Sequence, residues 1–273
     1  MTVNRSNIGG LPDALDPGAG VAAKLGDAAP AVFLDYDGTL TPIVDRPEDA
    51  VITDRMRETV RNLAQRCTVC VVSGRDRAVV QDLMGVHDLV VAGSHGFDIW
   101  SPTEGTIEHE AASGFEDLLA RVTARLEDEL APLDGVVIEP KRASVAAHYR
   151  LVPEKDRPRV TEVVEALLAE HRDELKVTPG KMVYELQPKL DWDKGRAVLH
   201  LLGTLGLDRD GVVPIYVGDD ITDEHAFRAL VGRGIGIIVG DPDDPEVAGR
   251  DTAADYSLRS IGEVERFLDT LAR

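Results

Sequence analysis

The chain has 273 residues, 43% hydrophobic content and a formal net charge of -19 at pH 7. This length allows one large hydrophobic core or two smaller ones, so we expect one or two domains. The acidic composition, with no basic block, argues against nucleic-acid binding, because affinity for a polyanion depends on Lys and Arg contacts to phosphates. No run approaches the roughly 20 apolar residues of a membrane span, and no charged segment followed by an apolar one opens the chain. We therefore expect a cytoplasmic protein with no nucleic-acid or membrane partner, in which any anionic ligand is met by a local group of cations.

The first segments of the chain predict a loose arm followed by alternating strands and helices. Residues 1–27 are rich in Gly, Pro, Asp and Ala, and we expect a loose or partly helical N-terminal arm. Strands are predicted at 31–34, 69–72 and 89–92, and amphipathic helices at 53–66 and 77–84. Strands that alternate with helices indicate a parallel sheet.

The pattern changes between residues 101 and 187. In chain order the sequence predicts a helix at 114–130, strands at 136–139 and 144–150, a helix at 154–171, and strands at 175–178 and 182–186. This repeated helix-strand-strand unit indicates an antiparallel sheet covered on one face by two helices. An insertion at this point of the chain is well placed to close over a ligand at the carboxyl edge of the main sheet.

Strand and helix alternation returns in the last part of the chain. A helix is predicted at 193–205, a strand at 215–217, a helix after 222 and a strand at 235–239. Residues 28–100 and 188–273 are therefore expected to form one α/β core with a doubly wound parallel sheet, and residues 101–187 an inserted α+β cap domain.

Two cysteines, Cys67 and Cys70, lie in one of the apolar runs. The C-x-x-C spacing occurs in redox and zinc sites, but there is no second pair to complete a metal site. We interpret both as thiols buried in a strand.

The strongest chemical signal is Asp35 and Asp37, which follow an apolar strand and precede a Gly-Thr turn. Alternate residues of an extended strand share a face, so the two carboxylates lie together while Tyr36 points away. Asp35 is expected to attack phosphorus as a nucleophile, and Asp37 to protonate the leaving alkoxide and later activate water. Gly38 permits the sharp turn that brings backbone N–H groups to a phosphate.

A second polar segment, Ser73-Gly74-Arg75, follows the next strand and precedes a helix. The Ser73 hydroxyl could donate to a phosphate oxygen near the helix N-terminus, with Gly74 and Arg75 binding substrate beside it. The alternative, that Ser73 only caps the helix, stays open, because serine is a common N-cap residue.

Four acids within six residues, Asp219, Asp220, Asp223 and Glu224, follow the strand predicted at 215–217. Their mutual repulsion favours a bound cation. Mg²⁺ prefers carboxylate and carbonyl oxygens, so Asp35, the Asp37 carbonyl group and Asp219 are the expected ligands. Asp220 and Asp223 are expected to orient waters or Lys194 from behind them.

Lys194 lies in the first turn of the helix predicted at 193–205, where the helix dipole disfavours a cation. A bridge between the phosphate and the Asp35 carboxylate would explain its position and would supply the local cation that the net charge requires. The alternative is a solvated surface lysine.

These four elements, in this order, resemble those of the haloacid dehalogenase-like phosphatases. In that family an aspartate pair, a Ser or Thr, a Lys and an acidic loop correspond to Asp35/Asp37, Ser73, Lys194 and Asp219/Asp220/Asp223 of this chain. The position of the insertion resembles the cap of the subgroup that includes sugar phosphatases. The resemblance implies magnesium as cofactor.

Further motifs resemble those of trehalose-6-phosphate phosphatases. They include Gly93-Ser94-His95-Gly96, Val137-Ile138-Glu139-Pro140-Lys141, Thr178-Pro179-Gly180-Lys181 and Gly218-Asp219-Asp220-Ile221-Thr222-Asp223-Glu224. The resemblance implies sugar contacts for polar residues of the insertion, namely Glu139, Lys141, His148, Lys181 and Glu185, and Arg150 follows His148 with the same strand parity. His95 is expected close to the site rather than in it.

Alternatives remain at this level. Glu139 and Lys141 could form a hairpin salt bridge, and His148 could be an ordinary strand histidine. The substrate could be another sugar phosphate, such as sucrose phosphate or a hexose phosphate. A receiver-like signalling module shares the phospho-accepting Asp, the acidic cluster and the Lys, but it lacks both an equivalent of Asp37 and a cap. The oligomeric state is open, with a monomer favoured.

Overall fold

The computed structural model describes residues 6–44, 46–107, 114–180, 182–244, 247 and 249–273. Its strands are β1 (Ser6–Asn7), β2 (Ala29–Leu34), β3 (Thr68–Val72), β4 (Val90–Gly93), β5 (Asp98–Ser101), β6 (Gly105–Ile107), β7 (Val137–Pro140), β8 (Val145–His148), β9 (Leu175–Gly180), β10 (Val183–Pro188), β11 (Val212–Gly218), β12 (Ile235–Val239), β13 (Asp251–Thr252) and β14 (Tyr256–Leu258). The helices are α1 (Val21–Leu25), α2 (Asp54–Ala64), α3 (Arg77–Met84), α4 (Glu116–Leu130), α5 (Arg157–Glu170), α6 (Lys194–Thr204), α7 (Asp223–Leu230) and α8 (Ile261–Leu271).

The main sheet has the strand order β14-β12-β11-β2-β3-β4-β5-β6. The strands from β14 to β4 are parallel, and β5 and β6 add an antiparallel edge. The predicted parallel α/β sheet is therefore confirmed. Because β2, β3 and β11 lie side by side in parallel, the segments that follow them leave the sheet at the same edge.

Helices on both faces of this sheet explain why its strands read as continuous apolar runs. Along β2, Val32 and Leu34 pack into the core shared with α2, α3 and α8, whereas Ala31 and Phe33 pack into the core shared with α6 and α7. Both cores are almost completely shielded from solvent, so the sheet is a rigid support for the segments at its carboxyl edge.

The described part of the N-terminal arm contains the short helix α1 and is ordered against the main sheet, which agrees with the partly helical alternative and not with a loose arm. Strand β1 pairs with β13, and the N–H group of Ala14 donates to the carbonyl oxygen of Ser257 at 3.0 Å. Ile8 is 1% exposed and Val21 is fully buried. These few apolar side chains, spaced without helical or strand periodicity, are enough to anchor the segment.

Residues 108–191 form a second compact unit, and residues 1–107 with 192–273 form the first. The second unit has an antiparallel sheet in the order β7-β8-β10-β9, with α4 and α5 packed on it through a core that includes Val122, Val163 and Leu186. The boundaries differ from the predicted 101–187. The hairpin of β5 and β6 extends the main sheet to residue 107, and the N–H group of Lys189 still donates to Glu174 of the second unit at 2.6 Å.

In the described ranges, no helix is both long enough and apolar enough to cross a membrane. Cys67 and Cys70 are free thiols, the first partly buried and the second fully buried. Burial raises the pKa of Cys67 to about 11 and that of Cys70 further, so both are protonated at neutral pH. This agrees with two unreactive thiols, but only Cys70 lies buried in β3, whereas Cys67 precedes the strand.

Candidate active site

The segment after β2 has the alternation that its sequence predicts. The N–H group of Asp35 donates to the Val217 carbonyl oxygen at 2.9 Å, so the chain still follows β11 as β2 ends. The Tyr36 side chain is buried in the core, and its hydroxyl donates to the Ala50 carbonyl oxygen at 2.6 Å. Asp35 is 5% exposed and lies on the other side of the chain from Tyr36.

Lys194 is buried against the nucleophile candidate. Its Nζ donates to Asp35 Oδ1 at 2.9 Å and to Asp223 Oδ1 at 2.8 Å, and the residue is 3% exposed. Burial alone would lower the pKa of Lys194. The charges of Asp35 and Asp223 outweigh this effect and raise the pKa above its ordinary value, so the ammonium group stays protonated. The reading of Lys194 as a solvated surface lysine is therefore wrong.

Helix α6 presents Lys194 through its own local sequence. Asp193 caps the helix by accepting from the N–H group of Arg196 at 2.9 Å. A Cβ atom at Gly195 would lie 2.4 Å from the carbonyl oxygen of His225, so glycine lets α6 approach α7 closely. This contact brings Lys194, at the start of α6, within reach of Asp223, at the start of α7.

Asp223 accepts four hydrogen bonds and organises the acidic loop. Its Oδ1 accepts from Lys194 and, at 2.6 Å, from the hydroxyl of Tyr216; its Oδ2 accepts from the N–H groups of Asp219 and Asp220 at 2.9 and 3.0 Å. Burial and the nearby Asp223 charge raise the pKa of Tyr216, so its hydroxyl keeps the proton that it donates. Asp223 is thus a support for its neighbours.

Asp220 and Asp219 have different surroundings. Asp220 Oδ1 accepts from the N–H groups of Thr222 and Asp223 and from the Thr222 hydroxyl, which fixes the turn into α7. Asp219 Oδ1 is buried, and no group in the described part of the chain donates a hydrogen bond to it. Burial, with the charges of Asp223 and Asp220, raises the pKa of Asp219 to about 7.

Gly38 lets the segment after β2 approach Asp219. Its φ is +75°, and a Cβ atom there would lie 2.1 Å from Asp219 Oδ2. Any larger residue would have to displace the carboxylate and would also be strained in this left-handed conformation.

These acids could hold a hard divalent cation. Carboxylate oxygens of Asp35, Asp219 and Asp223 lie within 4.8 Å of one another. The buried Asp219 Oδ1 lacks a donor, and a cation beside it would offset the burial that raises its pKa. Both Asp223 oxygens already accept hydrogen bonds, so the open donors are the carboxylates of Asp35 and Asp219. They fit Mg²⁺, which takes one or two carboxylate ligands and keeps several waters.

The segment after β3 places Arg75 beside Asp37. Arg75 binds both oxygens of Asp37, Nε to Oδ2 and Nη2 to Oδ1, each at 2.6 Å. The buried Ser73 hydroxyl accepts from the N–H group of Arg75 at 3.1 Å. Helix α3 begins after Asp76, so Ser73 is not its N-cap residue and the capping alternative is wrong. In its contact with Arg75 the Ser73 hydroxyl acts through its oxygen, so its proton is available for donation to an anion.

The expected sugar-binding residues of the second unit form two groups on its sheet. Glu139 Oε2 contacts His148 Nε2 at 2.8 Å. Glu185 Oε1 accepts from Ser144 at 2.7 Å and lies 3.5 Å from Lys141 Nζ. The alternative of a Glu139–Lys141 salt bridge is not what the structure shows: Glu139 contacts His148, and Lys141 lies near Glu185. Both glutamates pair with Ala146 of the central strand β8, one from each neighbouring strand. Arg150 is exposed in the turn after β8, and Lys181 lies outside the described residues.

Sequence reasoning did not identify Tyr216 and Ser144 as parts of these groups. A tyrosine in an otherwise apolar buried strand was the available signal for Tyr216, because a buried phenol needs a hydrogen-bond partner. Ser144 gave no such signal, since its contact with Glu185 depends on cross-strand register.

Comparison with known proteins finds similar sequences and structures. The family model described as trehalose-phosphatase matches residues 33–261. A trehalose-phosphate phosphatase of Mycobacterium tuberculosis is 43% identical over 265 residues, which is 96% of this chain and 66% of that protein. The chain thus spans slightly less than two thirds of the length of this relative.

Solved structures share the fold. Trehalose-6-phosphate phosphatase of Aspergillus fumigatus is 30% identical with a TM-score of 0.65, covering 96% of this chain and 99% of that one. The C-terminal domain of the C. albicans enzyme of the same name has a TM-score of 0.73 at 23% identity, covering 96% and 98%. A haloacid dehalogenase-like hydrolase from Bacteroides thetaiotaomicron matches the fold with a TM-score of 0.61 at 19% identity, covering 88% and 98%. The resemblance in the sequence motifs is confirmed, and the chain belongs to the trehalose-phosphatase family.

Proposed function

We propose that this protein is a magnesium-dependent phosphatase that hydrolyses trehalose 6-phosphate to trehalose and phosphate. The observation that carries the proposal is the buried contact between Asp35 and Lys194 beside Asp219, in a chain of the trehalose-phosphatase family. A carboxylate held by a protonated lysine at the edge of a parallel sheet is suited to attack on a phosphoryl group.

In the first step, an Asp35 carboxylate oxygen forms a bond to phosphorus as the bond from phosphorus to the sugar oxygen breaks. Asp37 gives its proton to the leaving sugar oxygen, which departs as trehalose. In the second step, water gives a proton to Asp37 and attacks the aspartyl phosphate. The bond from phosphorus to Asp35 breaks, and inorganic phosphate leaves with the carboxylate restored. Ser73 and Lys194 provide donors to the phosphoryl oxygens in both steps.

The Arg75–Asp37 pair sets a condition on this cycle. Both Asp37 oxygens accept hydrogen bonds from Arg75, so the pair must loosen before Asp37 carries a proton. A phosphate dianion is a strong competitor for a guanidinium group, because it offers the same bidentate geometry with more charge. Substrate binding by Arg75 would therefore release Asp37 for proton transfer.

The proposed ligands of Mg²⁺ are the carboxylates of Asp35 and Asp219 and the carbonyl oxygen of Asp37. When bound, the ion would supply positive charge that offsets the phosphoryl charge in a protein with a net charge of -19. Asp223 and Asp220 would act from behind these ligands, the first by holding Lys194 and the second by fixing the turn into α7.

For the sugar, we assign recognition to Glu139, Lys141, His148 and Glu185, with Arg150 and Lys181 as further candidates carried by the family resemblance. The contacts of Glu139 with His148 and of Glu185 with Ser144 support this assignment, since carboxylates fixed by neighbours are suited to accept from sugar hydroxyls. A cytoplasmic location and a monomeric state remain expectations from the sequence.

The test is phosphate release from a panel of sugar phosphates. Trehalose 6-phosphate should give the highest kcat/KM in the presence of Mg²⁺, and EDTA should abolish release. A preference for sucrose phosphate or glucose 6-phosphate would refute the substrate while leaving the phosphatase chemistry intact. Full activity of a metal-stripped sample would refute the role of Mg²⁺.

A further inference from the structure

The turn between β4 and β5 has an uncommon backbone conformation. Ser94 and His95 have φ values of 50° and 57°, and Gly96 follows with 93°. Two consecutive residues with side chains in the left-handed region cost free energy that a glycine pair would avoid. Such strain persists only where the surrounding structure holds it in place, and it is concentrated at functional sites.

This turn is bonded to the segment that carries Ser73 and Arg75. The N–H group of His95 donates to the Ser73 carbonyl oxygen at 2.8 Å, and that of Ser94 donates to the Arg75 carbonyl oxygen at 2.7 Å. The Ser94 hydroxyl donates to Asp76 Oδ1 at 2.8 Å. The left-handed backbone thus aims two successive N–H groups at the loop from Ser73 to Asp76.

The His95 ring lies directly against Gly74. A Cβ atom at Gly74 would lie 2.7 Å from His95 Cε1 and 2.9 Å from Nε2, which is too close for a real contact. The imidazole therefore occupies the space that a side chain at position 74 would take. Gly74 lies between Ser73 and Arg75, so the ring limits the motion of the segment that presents both residues.

On its other side the same turn packs against helix α6. A Cβ atom at Gly96 would lie 2.3 Å from Ala197 Cβ and 3.2 Å from Trp192 Nε1. Ala197 lies one turn after Lys194 in α6. The turn is therefore held between the Ser73 loop and the helix that presents Lys194.

We propose that His95 is a positioning residue, whose ring holds Gly74 so that Ser73 and Arg75 face the phosphoryl group together. The inference rests on the proposed phosphatase function and adds to it a residue outside the reacting set. The basis of this role is packing. The His95 ring restricts Gly74, whose backbone flexibility would otherwise let Ser73 and Arg75 move out of position.

The test compares His95→Asn with the wild type. Asparagine tolerates the left-handed conformation and keeps the backbone N–H group, so the substitution removes chiefly the ring. We expect the Kd of inorganic phosphate, measured by calorimetry with Mg²⁺, to rise about tenfold. The KM for p-nitrophenyl phosphate should rise in parallel, with a smaller fall in kcat, while Tm changes little.

Leu268→Ala is the control for a simple loss of stability, because Leu268 of helix α8 is fully buried in the core on the other face of the sheet from α6. It should lower Tm and leave the Kd of phosphate unchanged. Unchanged phosphate affinity in His95→Asn would overturn the proposal, as would a loss of affinity that Leu268→Ala reproduces.

If His95→Asn folds poorly, Gly74→Ala alone keeps the proposal testable, because its methyl group should displace the His95 ring and raise the Kd of phosphate, and unchanged affinity would overturn the proposal. Where both variants fold, a double-mutant cycle tests the coupling directly. The new methyl group should collide with the ring in the wild type and be tolerated better beside asparagine, so the two effects on the Kd of phosphate should be non-additive. Additive effects would contradict coupling through Gly74. The Kd of inorganic phosphate and the KM for p-nitrophenyl phosphate are measured without trehalose 6-phosphate. A wrong substrate assignment would therefore appear in the sugar phosphate panel and would not change the result of this test.

Discussion

At the scale of single residues, the ion pair between Arg75 and Asp37 is the contact with the clearest catalytic consequence. Two hydrogen bonds of 2.6 Å hold Asp37 at both oxygens, which fixes its side chain near the end of β2. The same guanidinium group stays protonated throughout, because its hydrogen bond to Asp37 raises its pKa further. Arg75 thus holds the Asp37 side chain in place before substrate binds, and it offers its charge to the substrate as the pair loosens.

Arg75→Ala should therefore lower kcat/KM for trehalose 6-phosphate by about 10²-fold, since it removes positioning and charge together. Arg75→Lys should recover only part of the loss, because an ammonium group cannot bind two oxygens in parallel. Steady-state kinetics measures both effects. Arg61→Ala, which removes a hydrogen bond to Gly85 at a distant helix, is the matched control. Equal activity of Arg75→Lys and wild type would show that charge alone matters.

Tyr216 is the second residue whose role follows from a single contact. Tyr216→Phe removes the hydroxyl that donates to Asp223 and leaves the packing of the ring. We expect the free energy of unfolding to fall by about 2 kcal/mol, the usual contribution of a buried hydrogen bond to a charged group. The kcat should also fall severalfold, because Asp223 holds Lys194.

Urea denaturation and steady-state kinetics on the same samples check this expectation. Tyr36→Phe is the control, since it removes a hydroxyl that donates to a backbone carbonyl group. It should lower stability with little effect on kcat. A Tyr216→Phe protein with wild-type stability would mean that the hydroxyl contributes nothing to the buried cluster.

At the scale of helices and strands, the position of each motif could be read from the sequence. Asp35, Ser73 and Asp219 each follow an apolar run, and parallel strands bring such ends to one edge. The close approach of α6 to α7 could not be read in this way. It depends on Gly195 meeting the backbone of His225, which is a property of tertiary packing.

The packing of the N-terminal arm could not be predicted for a related reason, although its short helix α1 agrees with the partly helical alternative. Its sequence shows no periodicity, yet Ile8 and Val21 bury their side chains in the two cores of the main sheet. Hydrophobic periodicity identifies helices and strands that bury one regular face. It does not detect an irregular segment that is anchored by one or two apolar residues. Likewise, the extra strands β5 and β6 were not predicted, because they are short and follow a turn without a standard hairpin sequence.

The sheet of the second unit contains Glu185, one of the residues to which we assign recognition of the sugar. Glu185→Ala removes a carboxylate fixed by Ser144 and should lower kcat/KM for trehalose 6-phosphate by about 10²-fold through loss of sugar binding. For p-nitrophenyl phosphate, which has no sugar, kcat/KM should change little. The ratio of the two values in wild type and variant is the measurement. If both substrates lose the same factor, Glu185 supports the fold and not recognition of the sugar.

At the scale of the whole molecule, the net charge of -19 disfavours an anionic substrate, so binding of a phosphate dianion depends on cations close to the site. Lys194 is already engaged by two carboxylates, so a phosphate dianion needs further positive charge. A divalent ion bound at Asp35 and Asp219 would relieve repulsion among buried acids, and binding to the folded state alone should raise stability.

Magnesium should therefore raise the Tm of the wild type. At a concentration of 100 times Kd, the added stability is about 2.7 kcal/mol. Asp219→Asn should lose most of this magnesium-dependent shift, whereas Asp210→Asn, which removes an exposed acid elsewhere, should keep it. Differential scanning fluorimetry with and without Mg²⁺ measures the shifts. The same shift in Asp219→Asn and wild type would place the ion elsewhere.

The covalent role of Asp35 is the claim on which the mechanism depends, and acid quenching during turnover tests it most directly. The enzyme is mixed with trehalose 6-phosphate carrying a labelled phosphoryl group, denatured in acid within the first turnover, and mapped by mass spectrometry. The label should be found on the peptide that contains Asp35, at that residue, and should be missing from Asp35→Asn, which should also release no phosphate. A label on another residue, or sustained phosphate release by Asp35→Asn, would contradict the assignment.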